Sequence, residues 1–275
     1  NTLPLTCSQR LTKVCQVESI DVIDLKVPTH TTYWYSDVTF LPGDRVMLAD
    51  YVNNKCILLS PSYQFITSHK LTGNPLNICV LDDQEVAVSL FNESKIQILA
   101  VVGDIIRPVR IITTKYNIGG ILAAWNGEMI VTSSSSDGKS HWSLINAKGD
   151  VMCSHQYDYK HGQYNYIAVN KMKTKVYITL HDVHSLLCFN INGRKQFTYN
   201  PDNLRGPRGV AVDRYDNIYV LGDLSDNIHQ LSSDGSVLQV ITSGVPNSPR
   251  AICIHQSKDI LIITNRKKLH IYQLK

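Results

Sequence analysis

No hydrophobic run in this chain approaches the roughly 18 to 20 residues needed to span a membrane, and no segment is built like a signal peptide. Charge is scarce too. Only 18% of the 275 residues are Asp, Glu, Lys or Arg, against 43% apolar, so the chain has the composition of a globular protein with ample core. The seven cysteines are an odd number and form no Cys-x-x-Cys, which argues against a disulfide framework and against metal binding. Cys79 and Cys253 lie inside the apolar runs ICV and ICI. They read as buried free thiols in a reducing compartment, and a cytoplasmic location is expected. A Gly-x-Ser-x-Gly elbow and a phosphate-binding loop are both missing. Ser133 to Ser136 is a polar loop before Asp137-Gly138 with no nucleophile context.

What the chain does have is short strands in regular succession. In Gly206 to Ile241 an apolar run (Val210 to Val212) is followed by a turn (Asp213 to Asn217), and a β-branched run (Ile218 to Leu221) by a polar loop (Asp223 to Asn227). Two alternating runs, Ile228 to Leu231 and Val237 to Ile241, flank Ser233-Asp234-Gly235. Period-two alternation bounded by Asp, Asn and Gly is the signature of strands and hairpins. The unit recurs, with the second strands opening at Val46, Val86, Met129, Val176, Ile218 and Ile260, at gaps of 40, 43, 47, 42 and 42 residues. Four strands per period of about 43 residues predict radial repetition around a channel. The expected fold is all-β, a six-bladed β-propeller of four-stranded antiparallel blades in a single domain spanning 1–275. The blades fall near 35–71, 75–113, 118–157, 164–200, 206–243 and 248–275. The last blade runs out after three strands, and Val14 to Leu25 has the strand character to complete it. An N-terminal strand there would close the ring and remove an open sheet edge.

Within the repeats, PRGVAVDRYDNIYV (Pro207 to Val220) resembles the NHL-repeat consensus, and SPRAICIHQSKDILIITN (Ser248 to Asn265) is a diverged copy. The other four keep the spacing but few of the letters; Asp37-Val38-Thr39-Phe40 stands where Gly-Val-Ala-Val is expected. The chain is similar to the degenerate C-terminal NHL-like domains of tripartite-motif (TRIM) and B-box proteins. That resemblance implies a recognition domain that selects a protein substrate for a RING-type ubiquitin ligase, or binds RNA. RING, B-box and coiled-coil modules are absent here, and the chain opens at Asn1, as an excised domain would. Oligomerisation would then lie in an upstream coiled coil.

Net charge is only +4, but the cations cluster. Loops entering the first strand of a blade and loops between its second and third strands open on one face of a propeller. Arg205 and Arg208 enter blade five, Arg250 enters blade six, and Arg266, Lys267 and Lys268 lie within blade six. Trp34 and Tyr35 enter blade one, the next blade around the closed ring. Cations beside aromatics suit phosphates and bases of single-stranded or structured RNA, and equally a protein interface. A second cluster runs from Tyr157 to Tyr166 in the longest connection, where Tyr164 and Tyr166 are candidate contacts and the dull explanation is packing on sheet edges.

Propellers also host metal-dependent hydrolases and lyases. The residues expected at the channel entrance include Ser36, Asp37, Asn77, Gly119, Gly120, Asn165, Tyr166, Arg208 and Arg250. One carboxylate among two arginines is a poor nest for a hard cation. His181 and His184 lack the further ligands of a zinc site. The sequence thus predicts a non-catalytic domain with no metal, cofactor, membrane contact or small-molecule substrate, binding a protein or RNA through its loop face. Loop charges such as Arg208 and Arg250 are expected to matter little for stability.

Overall fold

The computed structural model describes residues 14–28, 32–134, 138–159 and 165–275. Among them are twenty-four strands in six four-stranded antiparallel sheets, one short 3-10 turn at Pro42–Asp44, and no α-helix. The first strand, β1 (Val17–Asp24), precedes the first blade. Blade one is β2 (Tyr35–Phe40), β3 (Val46–Asp50), β4 (Lys55–Leu59) and β5 (Phe65–Lys70). Blade two is β6 (Pro75–Val80), β7 (Glu85–Leu90), β8 (Lys95–Val102) and β9 (Ile105–Thr113). Blade three is β10 (Asn117–Ala123), β11 (Met129–Ser134), β12 (Ser140–Ile145) and β13 (Val151–Tyr157). Blade four is β14 (Ile167–Val169), β15 (Lys175–Leu180), β16 (Ser185–Asn190) and β17 (Lys195–Tyr199). Blade five is β18 (Pro207–Val212), β19 (Ile218–Gly222), β20 (Asn227–Leu231) and β21 (Val237–Ile241). Blade six is β22 (Ala251–His255), β23 (Ile260–Thr264) and β24 (Lys268–Leu274), with β1 as its outer strand.

The burial of each strand follows from its place in the ring. A second strand is covered on both faces by neighbouring blades, so β3 (VMLAD) and β19 (IYVLG) are buried along their whole length. An outer strand has solvent at its edge; β13 is exposed at most positions. The core is therefore a set of layers between blades. Met47, Leu58, Val88 and Leu99 fill the layer between blades one and two, and Ile130, Trp142, Ile178 and Phe189 that between three and four. Trp142 is wholly buried, with His155 and Phe189 at ring-centroid distances of 4.4 and 6.3 Å.

The ring closes as the sequence predicts. β1 pairs antiparallel with β24 from Val17↔Leu274 to Asp24↔Lys268, and Gln16 and Lys275 exchange both backbone hydrogen bonds at 3.0 Å. Blades six and one also meet on the hairpin side, where Asp44 accepts from His255 Nε2 at 2.9 Å and Lys258 Nζ at 2.5 Å.

Candidate functional site

Bulges at the head of the innermost strands aim residues at the channel mouth. Pairing with the second strand slips between Tyr35 and Asp37, Pro75 and Ile78, Ile118 and Ile121, and Pro207 and Val210. A bulge takes backbone groups out of the ladder and redirects side chains, and the freed amides need new partners. In blades two and three a hydroxyl on the second strand supplies one. Ser89 Oγ accepts from the Asn77 amide at 3.1 Å and Thr132 Oγ1 from Gly120 at 2.7 Å. Blades four and six, which do not slip, use the same device: Thr179 takes the Tyr166 amide and Thr264 that of Ala251. The backbones of blades five and six come so close that a Cβ on Gly209 would lie 2.8 Å from the Arg250 carbonyl oxygen. The Gly209 amide donates to that oxygen at 2.8 Å.

Tyr166 divides the channel. Blades one and four stand opposite each other in a ring of six, and the Tyr166 hydroxyl reaches across to donate to the Ser36 carbonyl at 2.5 Å. Burial holds its phenol well above its ordinary pKa, so it stays protonated as a donor.

On the loop side of Tyr166 lies a basic cluster. Arg208 Nε donates to the buried Asp223 Oδ2 at 2.5 Å. His181 Nε2 stands 3.7 Å from the same oxygen, too far to hydrogen-bond, so Arg208 is the principal partner. Burial alone would raise the Asp223 carboxyl, but the His181 ring and the Arg208 guanidinium reverse that and hold it at about 2. Arg250 is only 5% exposed, and its Nε has no hydrogen-bond partner among the described residues. Its guanidinium carbon lies 4.5 Å over the Trp34 ring, and that of Arg266 lies 5.9 Å from the same ring. Burial, and then Arg208 beside it, lower the Arg250 pKa. Trp34 abuts Tyr51 at 5.1 Å, and Tyr51 abuts Phe91 at 5.7 Å, so an aromatic row runs from blade one into blade two.

Below Tyr166 the channel widens into a cavity of about 210 Å³. Asp37, Asn77 and Tyr166 line it together with Ile78, Ile121, Ile167, Val210 and Ile252. Asp37 is 9% exposed and accepts from the Ile78 amide at 2.7 Å and the Val38 amide at 2.9 Å. Burial pushes its carboxyl up to about 7, against the opposing pull of those amides and of Asn77.

The residues singled out from the sequence thus separate into surface and interior. Arg205, Arg266 and Lys267 are exposed, and Lys268 and Trp34 are half-buried. Tyr35 is fully buried in the core with Leu48 and Ile57, which removes it as a contact. Tyr166 is an internal bolt, and Tyr164 lies outside the described residues. Arg208 and Arg250 are built into the mouth, so the expectation that their replacement would leave stability almost untouched is corrected. The described tyrosines of the second cluster are buried: Tyr157 Oη accepts from Asn165 Nδ2 at 2.9 Å, and Tyr159 Oη donates to Asp182 at 3.3 Å. No group of three His, Cys, Asp or Glu suited to a metal occurs among the described residues. The cysteines among them are free thiols, of which Cys153 is exposed. No helix among them is long and apolar enough to cross a membrane. Two features escaped the sequence reading. The cavity left no mark in the repeats, whereas the hydroxyl of the second strands was visible as the Ser or Thr in VAVSL, MIVTS, VYITL and ILIIT.

No protein-family model matches the chain, and no curated protein matches it by sequence. Solved structures match it by fold. A catalytically inactive variant of virginiamycin B lyase from Staphylococcus aureus, solved with quinupristin, superposes with a TM-score of 0.69 at 13% identity, covering 94% of this chain and 100% of that one. A luciferin-regenerating enzyme gives 0.71 at 14% identity, covering 95% of each chain. The Cps50 (Swd1) β-propeller domain of Myceliophteria thermophila gives 0.65 at 9%, covering 88% of this chain and 84% of that one.

At such identities the likeness is one of fold, and the chain is a six-bladed β-propeller. The expectation of a domain that catalyses nothing is corrected by the same comparisons: two of these three structures are of enzymes by name, so the architecture is one that carries catalysis.

Proposed function

We propose that the loop face, around the Arg250–Trp34–Arg266 stack, recognises a partner protein through an acidic segment. The observation that carries this reading is the unequal fate of the cations. Arg208 has its carboxylate in Asp223, while Arg205, Arg266 and Lys267 are exposed and have no ion-pair partner among the described residues. A platform of unpaired cations beside half-buried aromatics has the composition of an interface hot spot. In the role that the NHL-like resemblance implies, the partner is the substrate of a TRIM-like ubiquitin ligase carrying this domain. Protein is favoured over RNA because the Trp34 ring already carries Arg250 and Arg266 and abuts Tyr51, so a base could stack there only by displacing one of them.

The test is fluorescence anisotropy with a glutamate-rich peptide and, separately, single-stranded RNA over a salt series. The probes are applied to wild type and to an Arg266→Glu/Lys267→Glu variant, which alters exposed side chains only. Peptide binding that weakens at least about tenfold in the variant supports the reading. RNA binding with a log–log salt slope of roughly −2 to −4, alongside no peptide binding, would replace it with nucleic-acid recognition.

A further inference from the structure

The cavity beneath Tyr166 holds a buried carboxylate with no cation beside it. Asp37 forms no ion pair among the described residues, and Arg208 and Arg250 do not line the cavity. The Oδ1 of Asn77, a residue only 4% exposed, has no hydrogen-bond partner either. Both oxygens of Asp37 take a backbone amide, which leaves each with further acceptor capacity. The Tyr166 hydroxyl has given its proton to Ser36, so its remaining lone pairs are acceptors as well. Acceptors, one of them a carboxylate, thus dominate the unused hydrogen-bonding capacity at this end of the cavity, and the one side-chain amide among them, that of Asn77, already bears on Asp37.

Most of the remaining wall is hydrocarbon, contributed by Val38, Ile78, Ile121, Ile167, Val210 and Ile252; Thr39 and Gln256 also line it, and each already donates to a backbone carbonyl. A dry apolar cavity of about 150 Å³ admits benzene. This one, at about 210 Å³, has room for a ring and a short polar arm. We propose that the channel beneath Tyr166 is a binding site for a small amphiphilic amine. Its ammonium group donates to Asp37 and to Asn77 Oδ1, and its hydrocarbon part lies against the apolar wall. An ammonium brings three donors and no acceptor, which complements such a set. A calcium ion would require six to eight oxygens, more than these side chains offer. A carboxylic acid would bring a second anion to an uncompensated one.

The other groups that bear on Asp37 are the thiols of Cys56, Cys79 and Cys253 and the phenol of Tyr166. Burial raises the pKa of every one, so none competes as a charge near neutral pH. Asp37 therefore decides the charge of the cavity.

The experiment is isothermal titration calorimetry of the whole chain with benzylamine and with benzyl alcohol, its uncharged isostere, at about pH 8. Wild type is expected to bind the amine at least about tenfold tighter than the alcohol, a preference that a charge-assisted hydrogen bond supplies. Asp37→Asn should lose that preference while still taking the alcohol. Wild type at about pH 5, where Asp37 is protonated, should lose it as well, and this second arm needs no variant to fold. Equal affinity for the two ligands in wild type, no binding of the amine, or a preference that survives both Asp37→Asn and acid would each overturn the proposal.

Discussion

Removing the Asp37 charge should change how stability depends on pH, and the structure sets both sign and size. In the fold its carboxyl is raised to about 7 from an ordinary value of 3.8. Between those values the folded chain binds a proton that the unfolded chain does not, so Asp37 makes stability fall as pH rises through that window. Each pKa unit is worth about 1.4 kcal/mol, and a site titrating at about 7 is half ionised there, so between about pH 5 and pH 7 the loss comes to about 2 kcal/mol. Four histidines, one buried and three half-buried, pull the other way. Burial lowers His69, His155, His229 and His270, so the unfolded chain binds more protons just below the ordinary histidine value and stability rises with pH there.

Asp37→Asn leaves all four histidines in place, so subtracting its curve from the wild-type curve isolates Asp37. The assay is urea unfolding of both proteins at half-unit intervals from about pH 5 to about pH 8. Asparagine at 37 cannot accept both the Ile78 and the Val38 amides without turning its own amide toward one of them, so the two curves start at different heights. The slope is the test. A difference that closes by about 2 kcal/mol toward neutral pH fits an uncompensated carboxylate. Parallel curves would mean that Asp37 titrates like an ordinary acid, and the reasoning about the cavity would fall with it.

Tyr166→Phe removes the hydroxyl that bolts blade four to blade one and leaves the Ser36 carbonyl without it, at a cost of about 1 to 2 kcal/mol in urea unfolding; no measurable change would mean the channel is held by its walls alone. Asp223→Ala removes the buried carboxylate to which Arg208 donates and should cost about 3 kcal/mol, read as a fall in denaturation midpoint. A change near zero would show that Arg208 swings out to solvent. Removing residues 1–24 takes away β1 and uncovers β24 along its length, so light scattering after size exclusion should show self-association. A monodisperse monomer would show that the closing strand is dispensable for masking that edge.

The fold was legible because a propeller is written in local patterns. Alternation marks the strands, Asp, Asn and Gly mark the turns, and the 42-residue spacings mark the blades; even the closing strand at Val17–Asp24 fell within the run picked out at 14–25. The site was only partly legible. Topology put Arg208, Arg250 and Trp34 on one face, because strand order alone decides which loops share a side. It could not say that Arg208 is neutralised by Asp223, fifteen residues on, or that Tyr166 reaches an atom of blade one across the channel. Tyr35 differs for a related reason: it follows Trp34 directly, and an extended chain turns successive side chains to opposite faces. Trp34 meets the arginines, and Tyr35 enters the core.

The degenerate repeats show which parts of the pattern the architecture requires. Each tight hairpin needs an acceptor for the amides its turn leaves free, and a short carboxylate or carboxamide at the first turn position provides one. Asp213 does this in the consensus-like repeat, accepting from the Tyr215 and Asn217 amides at 2.8 and 2.9 Å. Asp82 takes the amides of Gln84 and Glu85 in blade two, and Asn170 those of Thr174 and Lys175 in blade four. At the outer hairpins Asn146 and Asn190 do the same for blades three and four. These repeats have few consensus letters in common, yet the same hydrogen bonds recur with Asp exchanged for Asn. The hydroxyl that takes the amide at the strand head recurs in the same way in blades two, three, four and six. Side chains at the channel need not repeat from blade to blade: Asp37 serves the Ile78 amide and Tyr166 the Ser36 carbonyl, each in one blade alone. That freedom lets one ring carry Arg250 above Tyr166 and Asp37 below it, opposite charges on either side of a single phenol.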